Sequence, residues 1–211
     1  MPPALVSLSG VSVRYGSTAV LTGIDLHLPE AGVVGVAGRN GAGKTTLLGV
    51  IATLVPLASG SGTVLGAVLG SENVRRVRPS IGWSGHEPAL YDHLTLRENL
   101  RLVADLAGVE RSQADEALDR VGLGGAGHRL AGDASNGMRR RTDLAALLMR
   151  RPRLLLLDEA HAGLDSDADA IVTALIALTR QNGCGVVMVS HDAQRLGTEC
   201  DTVLILDPES T

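Results

Sequence analysis

Apolar positions recur along this chain with two different periods, and the switch between them divides it into regions. From Leu5 to Tyr15 apolar and small polar residues alternate, and Ile24 to Leu28 repeats the pattern, with Gly16 and Gly23 placed as turn residues. A period of two sends every second side chain to one face, so these runs predict a half-buried antiparallel β-lobe. Val33 to Ala37 is a compact apolar run of the kind that forms a strand buried on both faces; a glycine-rich turn follows it, and Lys44 to Ala52 reads as a helix. Thr95 to Ala107, Gln113 to Val121 and Asn136 to Arg150 show helical spacing with glycines between them, which predicts a helical subdomain over roughly residues 86–150 within one domain spanning 1–211. Beyond it, Leu154 to Leu157, Val186 to Val189 and Val203 to Leu206 are wholly apolar runs, expected as parallel core strands, with a helix over Ala168 to Gln181 between the first two. The expected fold class is α/β, a mixed sheet core carrying an antiparallel β-lobe and a helical subdomain.

Composition narrows the partners. The 211 residues are 45% hydrophobic, enough to bury one core. A formal net charge of −4 argues against a protein that coats nucleic acid, so no nucleic-acid partner is expected and any phosphate chemistry must be local. Cys184 and Cys200 lie in no close-spaced metal or redox pattern and are expected as reduced, mostly buried thiols. No run approaches the ~20 apolar residues needed to span a bilayer, and the start lacks a basic segment followed by an apolar one. The chain is therefore expected in the cytoplasm, with another polypeptide supplying any membrane-spanning part.

Two motifs carry chemistry. Gly38-Arg39-Asn40-Gly41-Ala42-Gly43-Lys44-Thr45 joins a predicted strand to a predicted helix and fits the phosphate-binding loop pattern. Its glycines let backbone N–H groups curl around anionic oxygens, and the helix points its positive end at the same charge. Lys44 then neutralises the β- and γ-phosphates of a nucleotide, Thr45 offers a hydroxyl to a nucleotide-bound Mg²⁺, and Thr46 completes the loop as a nucleotide contact. The second motif, Leu154-Leu-Leu-Leu-Asp158-Glu159, is an apolar strand ending in two carboxylates. Alone, such an ending reads as a solvated turn. Behind a phosphate loop, Asp158 reads as a metal ligand and Glu159 as the base that takes a proton from water.

Between the two lies Ala134-Ser135-Asn136-Gly137-Met138-Arg139-Arg140-Arg141, which resembles the signature motif of ABC ATPases, usually Leu-Ser-Gly-Gly-Gln. That family's other landmarks follow in order: Tyr15 where an aromatic ring stacks on adenine, Ala162-Gly163-Leu164-Asp165 resembling the loop that crosses the dimer interface, and His191 after an apolar strand as the switch histidine. The resemblance implies a P-loop NTPase of the ABC type with ATP and Mg²⁺ as cofactors and Glu159 and His191 as catalytic residues. It also implies that Ser135 and Gly137 reach the nucleotide of a second such domain, expected as a homodimer. Ser135 also fits simple helix capping, and Tyr15 also fits packing.

The chain departs from the family pattern at His86, which occupies the position usually held by a metal-binding Gln, at Ala160 in place of Pro, and within the signature itself. The function implied is the ATP-hydrolysing subunit of a membrane transporter, held by a transmembrane permease at the inner face of the cell membrane. Trp83 to Leu94, with Leu90, Tyr91 and Leu94 read as exposed, would form part of the groove for that partner, with ordinary core as the alternative for those residues. Gly85-His86-Glu87-Pro88 and the arginine-rich signature look similar to the haem-exporter subunit of cytochrome c maturation; a drug-exporter ATPase, a soluble ABC ATPase and a non-hydrolysing regulator are the alternatives.

Overall fold

A computed structural model describes residues 4–159, 161 and 166–206. They form two compact units: one holds residues up to Trp83, Arg153–Glu159 and the chain from Thr179 onward, the other Ser84–Pro152 and the chain up to Leu178.

In the first unit, β1 (Ala4–Tyr15) and β2 (Thr18–Pro29) form a long antiparallel hairpin, joined by β4 (Ser59–Val64) and β5 (Ala67–Val68) in the order β2-β1-β4-β5. Val6, Leu8, Val11 and Val13 of β1 and Leu21, Leu26 and Leu28 of β2 are buried; alternation holds within the pairs Val6/Leu8, Val11/Val13 and Leu26/Leu28, and its phase changes where the register shifts. Gly16 lies in the turn, but Gly23 lies inside β2 at φ +62°, where the register slips between Val11↔Ile24 and Val13↔Leu21. It is the left-handed residue of a β-bulge, and its N–H donates to Ser12 Oγ at 3.0 Å.

The second sheet of this unit has the order β6 (Ile81–Ser84), β7 (Leu154–Asp158), β8 (Gly185–Val189), β3 (Val33–Gly38), β9 (Thr202–Leu206). β3 pairs in parallel with β8 and β9, and β7 with β8. Helix α1 (Lys44–Ile51) contributes Leu47, Leu48, Val50 and Ile51 to the same core as Leu154, Leu156, Val187 and Val189. β9 is an edge strand, not a core strand: Ile205 is 65% exposed. Its apolar run is therefore ambiguous in sequence, because an edge strand and a central one can share a composition.

The second unit contains α2 (Leu96–Ala107), α3 (Ser112–Arg120) and α4 (Asn136–Arg150), which pack on one another around Leu96, Leu100, Leu118 and Ala145. Thr95 opens α2 with a full capping box, accepting from the Glu98 N–H while Glu98 reaches back to the Thr95 N–H. α5 (Ser166–Gln181) lies mostly in this unit, and α6 (Ala193–Glu199) belongs to the first. Among the described residues, no helix is long and apolar enough to cross a membrane. Cys184 and Cys200 are free and half-buried rather than mostly buried. Burial, followed by the nearby Glu199 and Asp201 carboxylates, pushes the Cys200 thiol up to about 11, which keeps it protonated and unreactive near neutrality.

Candidate active site

Strands β3, β8 and β7 lie side by side, and their registers align Val36 with Val189 and Val189 with Asp158. The segments leaving their carboxyl ends therefore emerge from one row, the edge where α/β proteins bind ligands. β3 runs into the glycine-rich loop, β7 delivers Asp158 and Glu159, and β8 delivers Ser190 and His191.

Within the loop, Gly43 caps α1 in the left-handed region at φ +89°. A Cβ there would stand 2.7 Å from the Leu21 side chain and 2.9 Å from the Val20 carbonyl, so only glycine fits without displacing β2. That contact also brings the strand leading back to Tyr15 against the loop; Tyr15 itself is 55% exposed at the hairpin turn. The Ala42 N–H donates to the Arg39 carbonyl at 3.1 Å and closes a tight turn. Lys44 is buried, and its Nζ donates to the carbonyls of Gly38 at 2.8 Å and Arg39 at 3.1 Å. These two bonds use two of its three hydrogens. Ala42 is buried as well, while Arg39, Asn40, Gly41 and Thr45 are exposed and Thr46 is half-buried.

Thr45 Oγ1 donates to Asp158 Oδ2 at 2.8 Å. Two hard oxygens thus meet at the loop's end. Among the described residues, no group of three or more His, Cys, Asp or Glu side chains could hold a metal unaided. A hydroxyl beside a carboxylate is an oxygen donor set that fits Mg²⁺, which keeps waters and phosphate oxygens as most of its ligands.

Next to Asp158, Glu159 adopts φ +54°, a left-handed conformation that costs a non-glycine residue about 1–3 kcal/mol. Its N–H donates to the Val189 carbonyl at 3.1 Å, and His191 Nδ1 lies 2.7 Å from its Oε2. An ionised carboxylate only accepts, so Nδ1 carries the hydrogen and Nε2 remains as the ring's second polar atom. Asp158, Glu159, His191, Lys44 and Thr45, which lie far apart in sequence, are thereby gathered at one sheet edge.

In the helical unit, Ser135 is exposed and caps α4, accepting from the Met138 N–H at 3.3 Å, with half-buried Gly137 in the first turn. His86 is exposed in the loop between β6 and α2. Of Leu90, Tyr91 and Leu94, only Tyr91 is exposed; Leu90 packs into the core of the helical unit, because an apolar residue in a loop gains more from burial than from display. The segment 162–165 and Ala160 lie outside the described residues.

Among the buried polar residues to which sequence reasoning gave no role are Ser84, Arg140 and Asp143. Ser84 Oγ donates to Asp143 Oδ2 at 2.6 Å, and Arg140 Nη1 donates to the Gly85 carbonyl. The available signal was helical spacing, which puts Arg140 and Asp143 on the same face as buried Leu144 and Leu147.

Burial raises the Asp143 carboxyl above its ordinary value, against the lowering effects of the Ser84 hydroxyl, the Arg140 charge and the Ala89 N–H. A carboxyl raised on folding binds protons better in the native state, so its contribution to stability is complete below the unfolded value and is lost as pH rises through the folded one. Asp143→Asn should therefore remove a stability loss that the parent chain shows as pH climbs from the acid side. Urea melts across pH check this, and identical pH slopes in the two chains would contradict it.

Comparisons with known proteins bear on this geometry. A family model described as ABC transporter matches residues 21–162. The cytochrome c biogenesis ATP-binding export protein of Mesorhizobium japonicum is 39% identical over 176 residues, covering 83% of this chain and 86% of that protein. A daunorubicin resistance ATP-binding protein of Streptomyces coeruleorubidus is 36% identical over 98% of the chain, and the bacitracin transport ATP-binding protein of Enterococcus faecalis is 31% identical over 96%. The chain spans 66% of the length of each of these two relatives. A solved ATP-binding subunit of an ABC transporter superposes with a TM-score of 0.87 at 25% identity, covering 96% of this chain and 85% of that one. A dimeric ATP-binding cassette in a post-hydrolysis state with ADP and Pi superposes with a TM-score of 0.84 at 24% identity, covering 95% and 94%.

Proposed function

The chain belongs to the ABC transporter family of ATP-binding domains, and from that premise we propose that it hydrolyses ATP as the motor subunit of a membrane transporter. The observation that supports this most directly is the pairing of Thr45 with Asp158 beside the pairing of Glu159 with His191 at one sheet edge.

In this reading the N–H groups of residues 38–46 and the third Lys44 hydrogen bind the β- and γ-phosphates. Thr45 and Asp158 would hold Mg²⁺, whose charge would offset that of the phosphate oxygens. Glu159 accepts the proton of the attacking water, and His191 fixes the carboxylate's orientation. Tyr15 offers its ring to adenine, and His86 supplies an imidazole nitrogen toward the metal or its water in place of an amide. Ser135 and Gly137 of a second copy complete the γ-phosphate site; since the chain carries one phosphate loop, closed twofold pairing gives two equivalent sites. A transmembrane permease supplies the path for cargo, with this subunit peripheral at the cytoplasmic face and residues 1–211 acting as one ABC ATPase domain.

Purified chain should release phosphate from ATP with Mg²⁺ and stop when EDTA is added. No release, either alone or co-purified with its permease, would sink the reading.

For cargo, we favour haem export for cytochrome c maturation, supported by 39% identity to the cytochrome c biogenesis relative against 36% and 31% to the antibiotic-linked ones. Loss of the gene should then abolish covalent haem staining of c-type cytochromes and leave drug sensitivity unchanged. The reverse result favours drug export.

A further inference from the structure

Arg140 and Asp143 stand three residues apart on the buried face of α4, and both turn to the same short loop. Arg140 holds the Gly85 carbonyl, one residue before His86. Asp143 holds Ser84 through its hydroxyl and Ala89 through its N–H. The grips fall on both sides of His86, which is itself exposed. Further along, Asn99 accepts from the Tyr91 N–H at 2.8 Å and donates to the carbonyls of Tyr91, Leu94 and Thr95, so the loop is anchored at its far end as well.

This arrangement is a poor source of stability. Ser84 is fully buried, Arg140 is 6% exposed and Asp143 is 8% exposed, and burying such groups costs more than an apolar filling of the same volume. What the network gives instead is a defined backbone path through residues 84–89, because each bond is directional and each partner is fixed on a helix. The helix in question is the one that Ser135 caps.

We propose that Ser84, Arg140 and Asp143 are positioning residues that hold His86 in a fixed relation to the Ser135 end of α4, so that the loop and the signature helix respond to nucleotide as one piece. The proposal rests on the reading of His86 as a nucleotide-facing residue. A misplacement of about 1 Å in such a group can cost on the order of 100-fold in rate, which sets the upper end of the effect.

The test is a pair of double-mutant cycles on the full chain with Mg²⁺ and ATP: Ser84→Ala with His86→Ala, and Asp143→Asn with His86→Ala. Each single change should lower kcat about tenfold with KM for ATP held within about twofold, and each double should be no slower than His86→Ala alone. Amide hydrogen exchange supplies a readout apart from turnover. Exchange across residues 85–89 should rise at least about tenfold in Ser84→Ala, while the interior of α4 keeps its protection. Rate losses that multiply in the doubles, full kcat in both Ser84→Ala and Asp143→Asn, or unchanged loop exchange in Ser84→Ala overturns the proposal alone. An unimpaired His86→Ala overturns the reading of His86 and takes this proposal with it. If Asp143→Asn fails to fold, the Ser84→Ala cycle decides, since it removes only one hydroxyl.

Discussion

Replacing Glu159 with Gln is expected to lower ATP turnover by about 10²–10⁴-fold, the range that a positioned general base contributes, while leaving ATP affinity intact. The amide keeps the shape of the carboxylate and still offers an oxygen to His191 Nδ1, 2.7 Å away in the parent chain. It cannot take the proton of the attacking water. With the phosphate contacts assigned to the loop and Lys44, binding and pairing should proceed while the chemical step stalls. Gel filtration should show a dimer of the variant that forms with ATP and is absent without it. Turnover close to that of the parent chain would place the base elsewhere.

Lys44→Ala should act one step earlier and weaken ATP binding itself. The substitution removes the charge assigned to the phosphates and also releases the carbonyls of Gly38 and Arg39, which Nζ holds. Losing one member of a buried, hydrogen-bonded charge pair costs about 2–5 kcal/mol, so affinity for ATP should fall on the order of 30- to several-thousand-fold. Equilibrium titration with a fluorescent ATP analogue measures this directly. A variant that binds as tightly as the parent would mean that Lys44 serves the loop alone. The two substitutions separate binding from chemistry within one site, Glu159→Gln sparing the first and Lys44→Ala weakening it.

Periodicity carried much of this architecture. Helix α4 is read from sequence at Asn136–Arg150 and found there, because Ser135 supplies a side-chain cap and apolar positions recur at helical spacing. β4 was not legible: Ser59-Gly-Ser-Gly-Thr-Val64 has little strand propensity, and it becomes a strand through its register with Val6, Ser7 and Leu8 of β1. Gly23 reads as a turn because left-handed glycines serve turns and bulges alike, and only the pairing of Val11 and Val13 with β2 tells them apart. At the site, the strand-end carboxylates and the phosphate loop are local patterns and were visible. The bonds from α4 to Ser84 and Gly85 span 59 and 55 residues, and no local pattern encodes them.

The place of β8 between β3 and β7 has a consequence for how the protein is made. The phosphate loop and the Asp158–Glu159 pair leave the ribosome before β8 does, yet they have no common frame until β8 seats between their strands and aligns Val36, Val189 and Asp158. A nascent chain therefore holds the parts of the site without the site, and its bare parallel strands are exposed to wrong partners during that interval. The strand that brings His191 also joins β7 to β3. Competence for hydrolysis thus arrives as a single late event in biosynthesis, and a chain truncated before Gly185 should be a client for chaperones or proteases rather than a slow enzyme.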